Sequence, residues 1–267
     1  MAAGRLSGFP VLMYHGVAPG TAAPAVPPAE LKYWVPGPEL RAQLAEIRRA
    51  GARVTGLGEA WHFATAVDGA EPPVVLTFDD GRAADYEASF PLLLEAGARA
   101  DFFVNTANIG RSGYLDWGQI KEMQRAGMAF QSHSHEHVDL SRLPARALEY
   151  QIRESRHRLE DGLGTAVEFL AAPYGLLDRR VLDVARAQGY RAVCTSRAWP
   201  AFPGAPTIGR IAIHRHTRPG GFRRIVTRHP VPYLLRAIRE ALIYLPKRVL
   251  LRYRPHRLGV RVLEKQA

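Results

Sequence analysis

The segment 74-VVLTFDDG-81 gives the strongest indication of the fold of this 267-residue chain. Its mostly apolar first part, 74–78, is typical of a short strand that is buried on both faces. The strand pattern ends at Asp79 and Asp80, and Gly81 permits the tight turn that must follow. Two adjacent carboxylates at the end of a buried strand cost desolvation energy unless a positive group, such as a divalent cation, lies near. The alternative is that one aspartate only caps the following segment.

Short apolar runs alternate with helical patterns through most of the chain. Strands are predicted at 9–14, 74–78, 100–104, 128–131, 167–170, 191–194 and 208–213. Helices are predicted at 39–50, 86–96, 116–127, 144–160 and 178–188. The proline-rich segment 20–38 is predicted to be a loop. Repeated strand–helix alternation predicts an α/β fold with a parallel sheet or barrel and right-handed crossovers.

Polar residues recur directly after the predicted strands. His15 follows the first strand, Asp79 and Asp80 follow the second, and histidines at 133–137 and the segment 173-PYG-175 follow two later ones. In a parallel barrel the carboxyl ends of all strands open on one face, where active sites are built. We therefore expect these residues to share one site.

The histidine cluster has the spacing of a metal site. His133 and His137 are four residues apart, which brings two imidazoles together if the segment forms a helical turn. Two histidines and a carboxylate are a common ligand set of catalytic zinc. His135 would point away from such a pair. The alternative for each histidine alone is a solvated loop residue.

These motifs resemble those of a known family. The segments 77-TFDDG-81 and 133-HSHEH-137 resemble the first two motifs of the polysaccharide deacetylases of carbohydrate esterase family 4, the NodB-homology group. The segment 173-PYG-175 resembles the third motif, and the resemblance covers roughly residues 9 to 215. It implies a distorted (β/α) barrel of about seven strands.

The resemblance also implies a role for each motif residue. Asp79 would be the general base. A divalent metal, expected to be zinc, would be bound by Asp80, His133 and His137. The metal loop would be supported by Ser134, and the third motif, Pro173 and Tyr174, would offer the Tyr174 backbone N–H to an oxyanion.

Two positions depart from the usual pattern of the family. The third motif begins with an arginine that steadies the base, but this chain has Ala171 or Ala172 there, and we hypothesise that Arg210 is the substitute. The late histidine motif that supplies the general acid fits His214 poorly. The early segment 11-VLMYH-15 fits better and resembles the circularly permuted exopolysaccharide poly-N-acetylglucosamine deacetylases. His15 is therefore the predicted acid, with His214 as the alternative.

The net charge of +11 is concentrated near the carboxyl end of the chain. From Arg210 onward 15 Lys and Arg stand against two acidic residues, a net +13, so the remainder carries −2. We therefore divide the chain into a barrel at 1–217 and a basic amphipathic helical tail at 218–267. The tail has an apolar stripe formed by Leu234, Leu235, Ile238, Ala241, Leu242 and Leu245. Such a helix suggests attachment to an anionic membrane surface, unless the stripe packs on the barrel.

The same features limit the partners and the compartment. No nucleic-acid-binding motif accompanies the charge, so no nucleic-acid partner is expected. The first residues lack the basic-then-apolar pattern of a secretory signal, and no apolar run reaches the ~20 residues that span a bilayer. We therefore expect a cytoplasmic protein, peripheral on the inner face of the membrane.

Taken with the resemblance, these features predict a metal-dependent hydrolase of exopolysaccharide biosynthesis. It would remove N-acetyl groups from an amino sugar in a polysaccharide or in a lipid- or nucleotide-linked precursor. The expected partner is thus an N-acetylated sugar or glycan. The alternatives are a related metal-dependent deacylase or deformylase acting on another amide, and a non-catalytic module that binds a membrane or a glycan.

Overall fold

The computed structural model describes residues 5–21, 24, 26–62 and 73–239. The first half contains β1 (Val11–Tyr14), β2 (Gly16–Ala18), α1 (Pro28–Leu31), β3 (Trp34–Pro36), α2 (Gly37–Arg49), β4 (Val54–Thr55), α3 (Leu57–Trp61), β5 (Val74–Asp80), a π-helix (Asp85–Ser89), α4 (Phe90–Glu95) and β6 (Asp101–Val104). The second half contains α5 (Trp117–Arg125), β7 (Ala129–Ser132), a 3-10 turn (Leu140–Arg142), α6 (Ala145–Leu163), β8 (Phe169–Ala171), a 3-10 turn (Pro173–Gly175), α7 (Arg179–Ala187), β9 (Ala192–Thr195), β10 (Thr207–Gly209), β11 (Ile211–Ala212) and α8 (Pro219–Val226). Residues 230–239 are also helical.

The strands form a parallel sheet that curves until it is nearly closed into a barrel, which confirms the predicted α/β barrel class. Among the described residues the sheet has nine strands, in the order β10-β9-β8-β7-β6-β5-β1-β11, with β4 paired to β5. Every pair is parallel. The carboxyl ends of the strands therefore open on one face.

The last strand differs from the prediction, because the expected continuous strand at 208–213 is split at Arg210. On one side of the split, β10 pairs with β9 over Thr207–Gly209. On the other side, Ile211 and Ala212 of β11 pair with β1. The chain thus passes from one edge of the sheet to the other within a few residues. We call residues 207–212 the seam, since they join the two edges of the barrel.

Side-chain alternation divides the core into two layers. One cluster lies between the sheet and the helices and includes Leu76 and Phe78 of β5. A second, smaller cluster fills the inside of the barrel and includes Val75 of the same strand. Because side chains alternate along a strand, Thr77 and Asp79 face the barrel interior with Val75. The base predicted from the sequence is therefore directed into the barrel.

The start of the predicted tail packs against the barrel, and the division at 217/218 stays a prediction. Phe222 of α8 and Tyr233 are buried in the outer core layer, and Arg223 Nε lies 3.5 Å from a Glu46 carboxylate oxygen on α2. In contrast, the stripe residues Leu234, Leu235 and Ile238 are exposed. Ala241, Leu242 and Leu245 lie outside the described residues. A search of the described helices finds none that is long and apolar enough to cross a membrane.

Candidate active site

Asp79 forms a buried ion pair with Arg210, which reaches it from the seam. Arg210 Nη1 donates to Asp79 Oδ1 at 2.6 Å and Nη2 donates to Oδ2 at 2.7 Å. This is the bidentate geometry in which arginine binds a carboxylate most strongly. The guanidinium also lies over the Phe103 ring, 5.0 Å from its centroid, and Nη1 contacts Thr77 Oγ1 at 3.3 Å. The structure therefore brings the hypothesised substitute arginine into direct contact with the predicted base.

The ion pair determines the ionisation of Asp79. Burial is the largest single influence and raises the pKa of this carboxyl group, but Arg210, His133 and His15 together outweigh it, and the pKa falls to about 2. Arg210 and Asp79 are both almost fully buried. Asp79 is thus a carboxylate at all physiological pH values, although it lies inside a barrel.

Three predicted metal ligands converge beside this pair. His133 Nε2 lies 3.6 Å and His137 Nε2 lies 3.4 Å from the same oxygen, Oδ1 of Asp80. One ligand atom from each of the three residues lies within 4.8 Å of the others. His133 Nε2 is also 4.0 Å from Asp79 Oδ2. The base and the cluster therefore lie side by side at the carboxyl ends of β5 and β7.

The donor set fits a divalent cation. His133 Nδ1 is engaged by the carbonyl oxygen of Ala171 at 2.8 Å, so the tautomer is fixed and Nε2 is left to face Asp80. A second hydrogen bond of this kind is usual for metal-binding histidines. Burial, followed by His133, lowers the pKa of His137 to about 4, which keeps that imidazole neutral and able to bind a metal. Two imidazoles and a carboxylate match a catalytic zinc set.

The histidine segment is not a helical turn, so that part of the prediction is wrong. Residues 133–137 have no helix, and Ser134 and His137 adopt positive φ angles of 65° and 55°. Ser134 Oγ accepts a hydrogen bond from the His137 backbone N–H at 3.1 Å, which stabilises the tight loop. His135 turns away, as predicted, and its Nδ1 contacts Thr106 Oγ1 at 2.8 Å.

Left-handed backbone is concentrated around the site. Among the described non-glycine residues, positive φ angles occur at Asp80, Ser134, His137, Tyr174 and Arg228. Four of these five residues belong to the three motifs. Such conformations cost of order 1–3 kcal/mol each and persist only where the surroundings enforce them. The strain therefore marks the loops that aim the ligands.

The third motif borders the metal cluster. Tyr174 follows Pro173 and has a φ of 60°. Its ring centroid lies 4.8 Å from that of His137, and its hydroxyl donates to the His137 carbonyl at 3.4 Å. Because the Tyr174 side chain is exposed, this residue lies at the mouth of the site.

The two candidate acids lie in different electrostatic surroundings. Burial lowers the pKa of His15, and Asp79 and Asp80 oppose that shift. Burial and, after it, Arg236 lower the pKa of His214 to about 4. The rings are linked through Tyr33, whose centroid is 4.8 Å from His15 and 5.3 Å from His214. Carboxylates therefore partly offset the effect of burial at His15, whereas cations add to it at His214.

Several contacts at the site were not predicted from the sequence. Arg82 Nη2 lies 3.5 Å from Asp80 Oδ2, the oxygen opposite the histidines, and 3.2 Å from Glu30 Oε2 on α1. Its guanidinium lies 5.4 Å from the Tyr114 ring centroid. Asn105 Nδ2 donates to the His133 carbonyl at 2.5 Å. The sequence offered one signal for the Arg82 contact, since Arg82 follows Gly81 directly and is therefore close in the chain to both aspartates.

Comparisons with known proteins agree with the fold and the motifs. The polysaccharide deacetylase family model matches residues 66–193. YxkH of Bacillus subtilis, assigned to the polysaccharide deacetylases, is 26% identical over 210 residues, covering 78% of this chain and 70% of YxkH. The Streptococcus pyogenes deacetylase PplD in complex with acetate has a TM-score of 0.74 and 25% identity, over 84% of this chain and 99% of PplD. IcaB from Ammonifex degensii has a TM-score of 0.70 and 26% identity, over 83% of this chain and 97% of IcaB.

The chain therefore contains a polysaccharide deacetylase domain of the NodB-homology type, as its motifs predict. Its structural relatives include PplD and IcaB.

Proposed function

We propose that this chain is a metal-dependent N-deacetylase that releases acetate from an N-acetylated amino sugar during exopolysaccharide biosynthesis. One observation carries the proposal. An ionised carboxylate, Asp79, is paired with Arg210 inside the barrel and lies 4.0 Å from His133 of an Asp-His-His cluster. A base next to such a cluster is the arrangement that hydrolysis of an amide by water requires.

Asp80, His133 and His137 would hold the divalent cation, with zinc expected from the ligand set. When bound, such a cation lowers the pKa of water and polarises a carbonyl group. The chain's own contribution is to aim the ligands. Ala171 fixes the His133 ring and Ser134 fixes the His137 loop.

Asp79 would accept the proton of the attacking water. Arg210 acts as the positioning residue, because its two hydrogen bonds fix both carboxylate oxygens and its charge keeps them ionised. Tyr174 would present its backbone N–H to the oxyanion that forms on the acetamide carbon, and preorganised donors of this kind stabilise such charge. Pro173 would help to fix the turn.

His15 would protonate the departing amine. The negative field of Asp79 and Asp80 favours the imidazolium form of His15. At His214, Arg236 and Lys32 disfavour that form. Burial lowers the pKa of both histidines, but only His15 has two carboxylates that oppose the shift, which favours His15 over His214 as the general acid.

The tail supports a second, peripheral part of the proposal, attachment to an anionic membrane surface. Leu234, Leu235 and Ile238 are exposed on one helix, and Arg236 and Arg239 flank them. Sedimentation with anionic vesicles should fall in Leu235→Glu, while Leu94→Glu, a change at an equally apolar exposed site on α4, should leave it unchanged. Equal sedimentation of both variants with the unmodified protein would reject membrane attachment.

The deacetylase is tested by metal analysis combined with an acetate-release screen over N-acetyl sugars that are free, polymeric or carrier-linked. Acetate release that Asp79→Asn abolishes is the expected result. Release of formate or another acid from the matching amide would instead identify a related deacylase. Bound metal without release of any acid would identify a non-catalytic module.

A further inference from the structure

The loop that carries the two histidine ligands is bound from outside by a residue of α6. Gln151 lies on the buried face of that helix and is 4% exposed. Its Oε1 accepts a hydrogen bond from the Glu136 backbone N–H at 2.8 Å, and its Nε2 donates to Glu136 Oε2 at 2.6 Å. Glu136 directly precedes His137. The Gln151 amide therefore binds the neighbour of a predicted metal ligand through both its main chain and its side chain.

An amide side chain matches these two groups of Glu136. It has one accepting end and one donating end, and a backbone N–H and a carboxylate oxygen require one of each. The orientation with Nε2 towards the carboxylate satisfies both groups at once. Because Gln151 is buried, an apolar side chain of the same length would leave the Glu136 N–H without this acceptor.

A second polar residue of α6 contacts the beginning of the same loop. Ser155 lies four residues after Gln151, and residues with this spacing share one face of a helix. Its Oγ is 2.8 Å from Ser132 Oγ, which in turn accepts a hydrogen bond from the Ser134 backbone N–H at 3.2 Å. The other buried residues of this helix include Leu148, Ile152 and Leu159. Polar groups on an otherwise apolar buried face are costly unless they are hydrogen-bonded, and both of these bind the loop segment.

The loop requires such support because its backbone is strained. Ser134 and His137 have positive φ angles, which persist only where the surroundings enforce them. The bond from the His137 N–H to Ser134 Oγ lies within the loop and moves with it. The Tyr174 hydroxyl contacts the His137 carbonyl from outside, but at 3.4 Å and from an exposed side chain. The two shorter bonds of Gln151 start from a buried position on a 19-residue helix and are the firmer restraint.

We infer that Gln151 is a positioning residue for the metal site, which acts by holding Glu136 and so directs the imidazole of His137. The inference rests on the proposed metal site. His137 Nε2 lies 3.4 Å from Asp80 Oδ1, and this closeness depends on the backbone conformation of the loop. Residues that orient a metal ligand without touching the metal typically contribute about 10- to 100-fold to its affinity.

The inference is tested by measuring the zinc affinity of the full chain in competition with a chelator. Gln151→Met keeps a side chain of similar length but removes both hydrogen bonds, so zinc affinity should fall by about 10- to 100-fold. The matched control is Leu159→Ala, a change on the same buried face two helical turns further along. It should lower the urea concentration at the midpoint of unfolding but leave the zinc affinity of the folded protein unchanged.

An exchange of the two side chains separates positioning from folding. Gln151→Glu keeps an acceptor for the Glu136 N–H but turns a second carboxylate towards Glu136, so zinc affinity should fall. Adding Glu136→Gln restores both hydrogen bonds with the donor on the other side chain, and most of the affinity should return. Glu136→Gln alone should keep the affinity, because its amide oxygen can accept from Gln151 Nε2. A residue that only stabilises α6 would not show this rescue.

The outcomes distinguish this inference from the proposed function. Zinc affinity that Gln151→Met leaves unchanged, or that is as low in the double variant as in Gln151→Glu, overturns the inference while the metal site stands. If the unmodified protein binds no zinc, the proposed metal site fails and the inference fails with it. If Gln151→Met does not fold, the comparison of Gln151→Glu with the double variant decides.

Discussion

Replacing Arg210 by methionine is the sharpest perturbation that the site offers. Methionine preserves much of the side-chain volume but removes the guanidinium that donates two hydrogen bonds, of 2.6 and 2.7 Å, to Asp79. Because Asp79 is almost fully buried, bulk solvent compensates little for the lost partner. The change therefore leaves a buried carboxylate whose pKa is raised by burial and lowered only by the neighbouring His133 and His15.

The size of the effect follows from the pKa of Asp79. The pKa of Asp79 is about 2, below the ordinary value of 3.8, although burial raises it. Arg210 is the largest of the influences that lower this pKa. That depression is worth about 2.5 kcal/mol, and breaking a buried ion pair costs about 3–5 kcal/mol. Since the folded-state pKa lies below the unfolded value, the contribution is present above pH ~4 and is lost as the pH falls towards ~2.

The prediction is checked by urea unfolding and by the pH dependence of kcat/KM. Arg210→Met should lose about 3–5 kcal/mol at pH 7, and the acidic limb of its activity profile should move up by about two pH units or more. The matched control is Arg146→Met, an exposed arginine on α6, whose stability should change by less than about 0.5 kcal/mol. A double-mutant cycle with Asp79→Asn isolates the pair, because the double variant should lose less than the sum of the two single variants.

Two results would refute the reasoning. One is an unfolding curve for Arg210→Met that overlays that of the Arg146→Met control. The other is an acidic limb that stays where it is in the unmodified protein. Either result would mean that Asp79 does not depend on Arg210 for its charge.

Three further predictions concern the metal cluster and the acid. His137→Ala should lower zinc affinity by more than about 100-fold, a larger loss than is usual for a residue that only supports a ligand. Asp79→Asn should keep the metal and lose turnover. Equal metal content in the two variants would mean that His137 is not a ligand. His15→Gln should lower kcat by about 10²–10⁴-fold, which is the range of general acid catalysis. His214→Gln should lower kcat by much less on a neutral substrate. If His214→Gln instead has the larger effect on kcat, His214 is the general acid. Arg82→Gln should weaken zinc binding by about tenfold, because Asp80 Oδ2 loses the neighbouring guanidinium that helps to orient it, and Arg82→Lys should retain part of the zinc affinity. Competition with a chelator measures the affinity of both variants. An unchanged zinc affinity in Arg82→Gln would mean that Arg82 does not support the metal site.

The barrel could be predicted from the sequence because local signals agree with one another. The runs at 74–78 and 128–131 are too short and too apolar for helices, so they are predicted to be strands. Each run is followed directly by polar residues. In a parallel barrel the carboxyl ends of all strands open on one face, which brings these polar residues together. Most of the predicted strands and helices therefore appear in the structure within a few residues.

The local geometry of the histidine loop could not be predicted in the same way. The spacing of His133 and His137 is compatible with a helical turn, and the pattern alone does not exclude it. What decides the loop is a hydrogen bond from the His137 backbone N–H to Ser134 Oγ and positive φ angles at two non-glycine residues. The tertiary surroundings enforce these conformations, and the sequence contains no local preference for them.

The seam illustrates the limit for long-range contacts. Arg210 and Asp79 are 131 residues apart, and only the missing arginine at 171 suggested that they meet. The strand at 207–212 is split because its first half pairs with β9 and its second half pairs with β1, and this choice of partners depends on the tertiary fold. The β2–β3 pair, of which β3 lies inside the proline-rich segment 20–38, was not predicted either, since its two strands are three residues long and lack a periodic pattern.

The seam also has a consequence for heat inactivation. β11 joins β1 through only two residue pairs, so this joint is a place where hydrogen exchange should detect local opening at lower free energy than global unfolding. Each such opening would carry Arg210 away from Asp79 while the rest of the barrel stays folded. Warming should therefore extinguish activity a few degrees before the helices melt, and the amides of Ile211 and Ile213 should exchange ahead of those in β6.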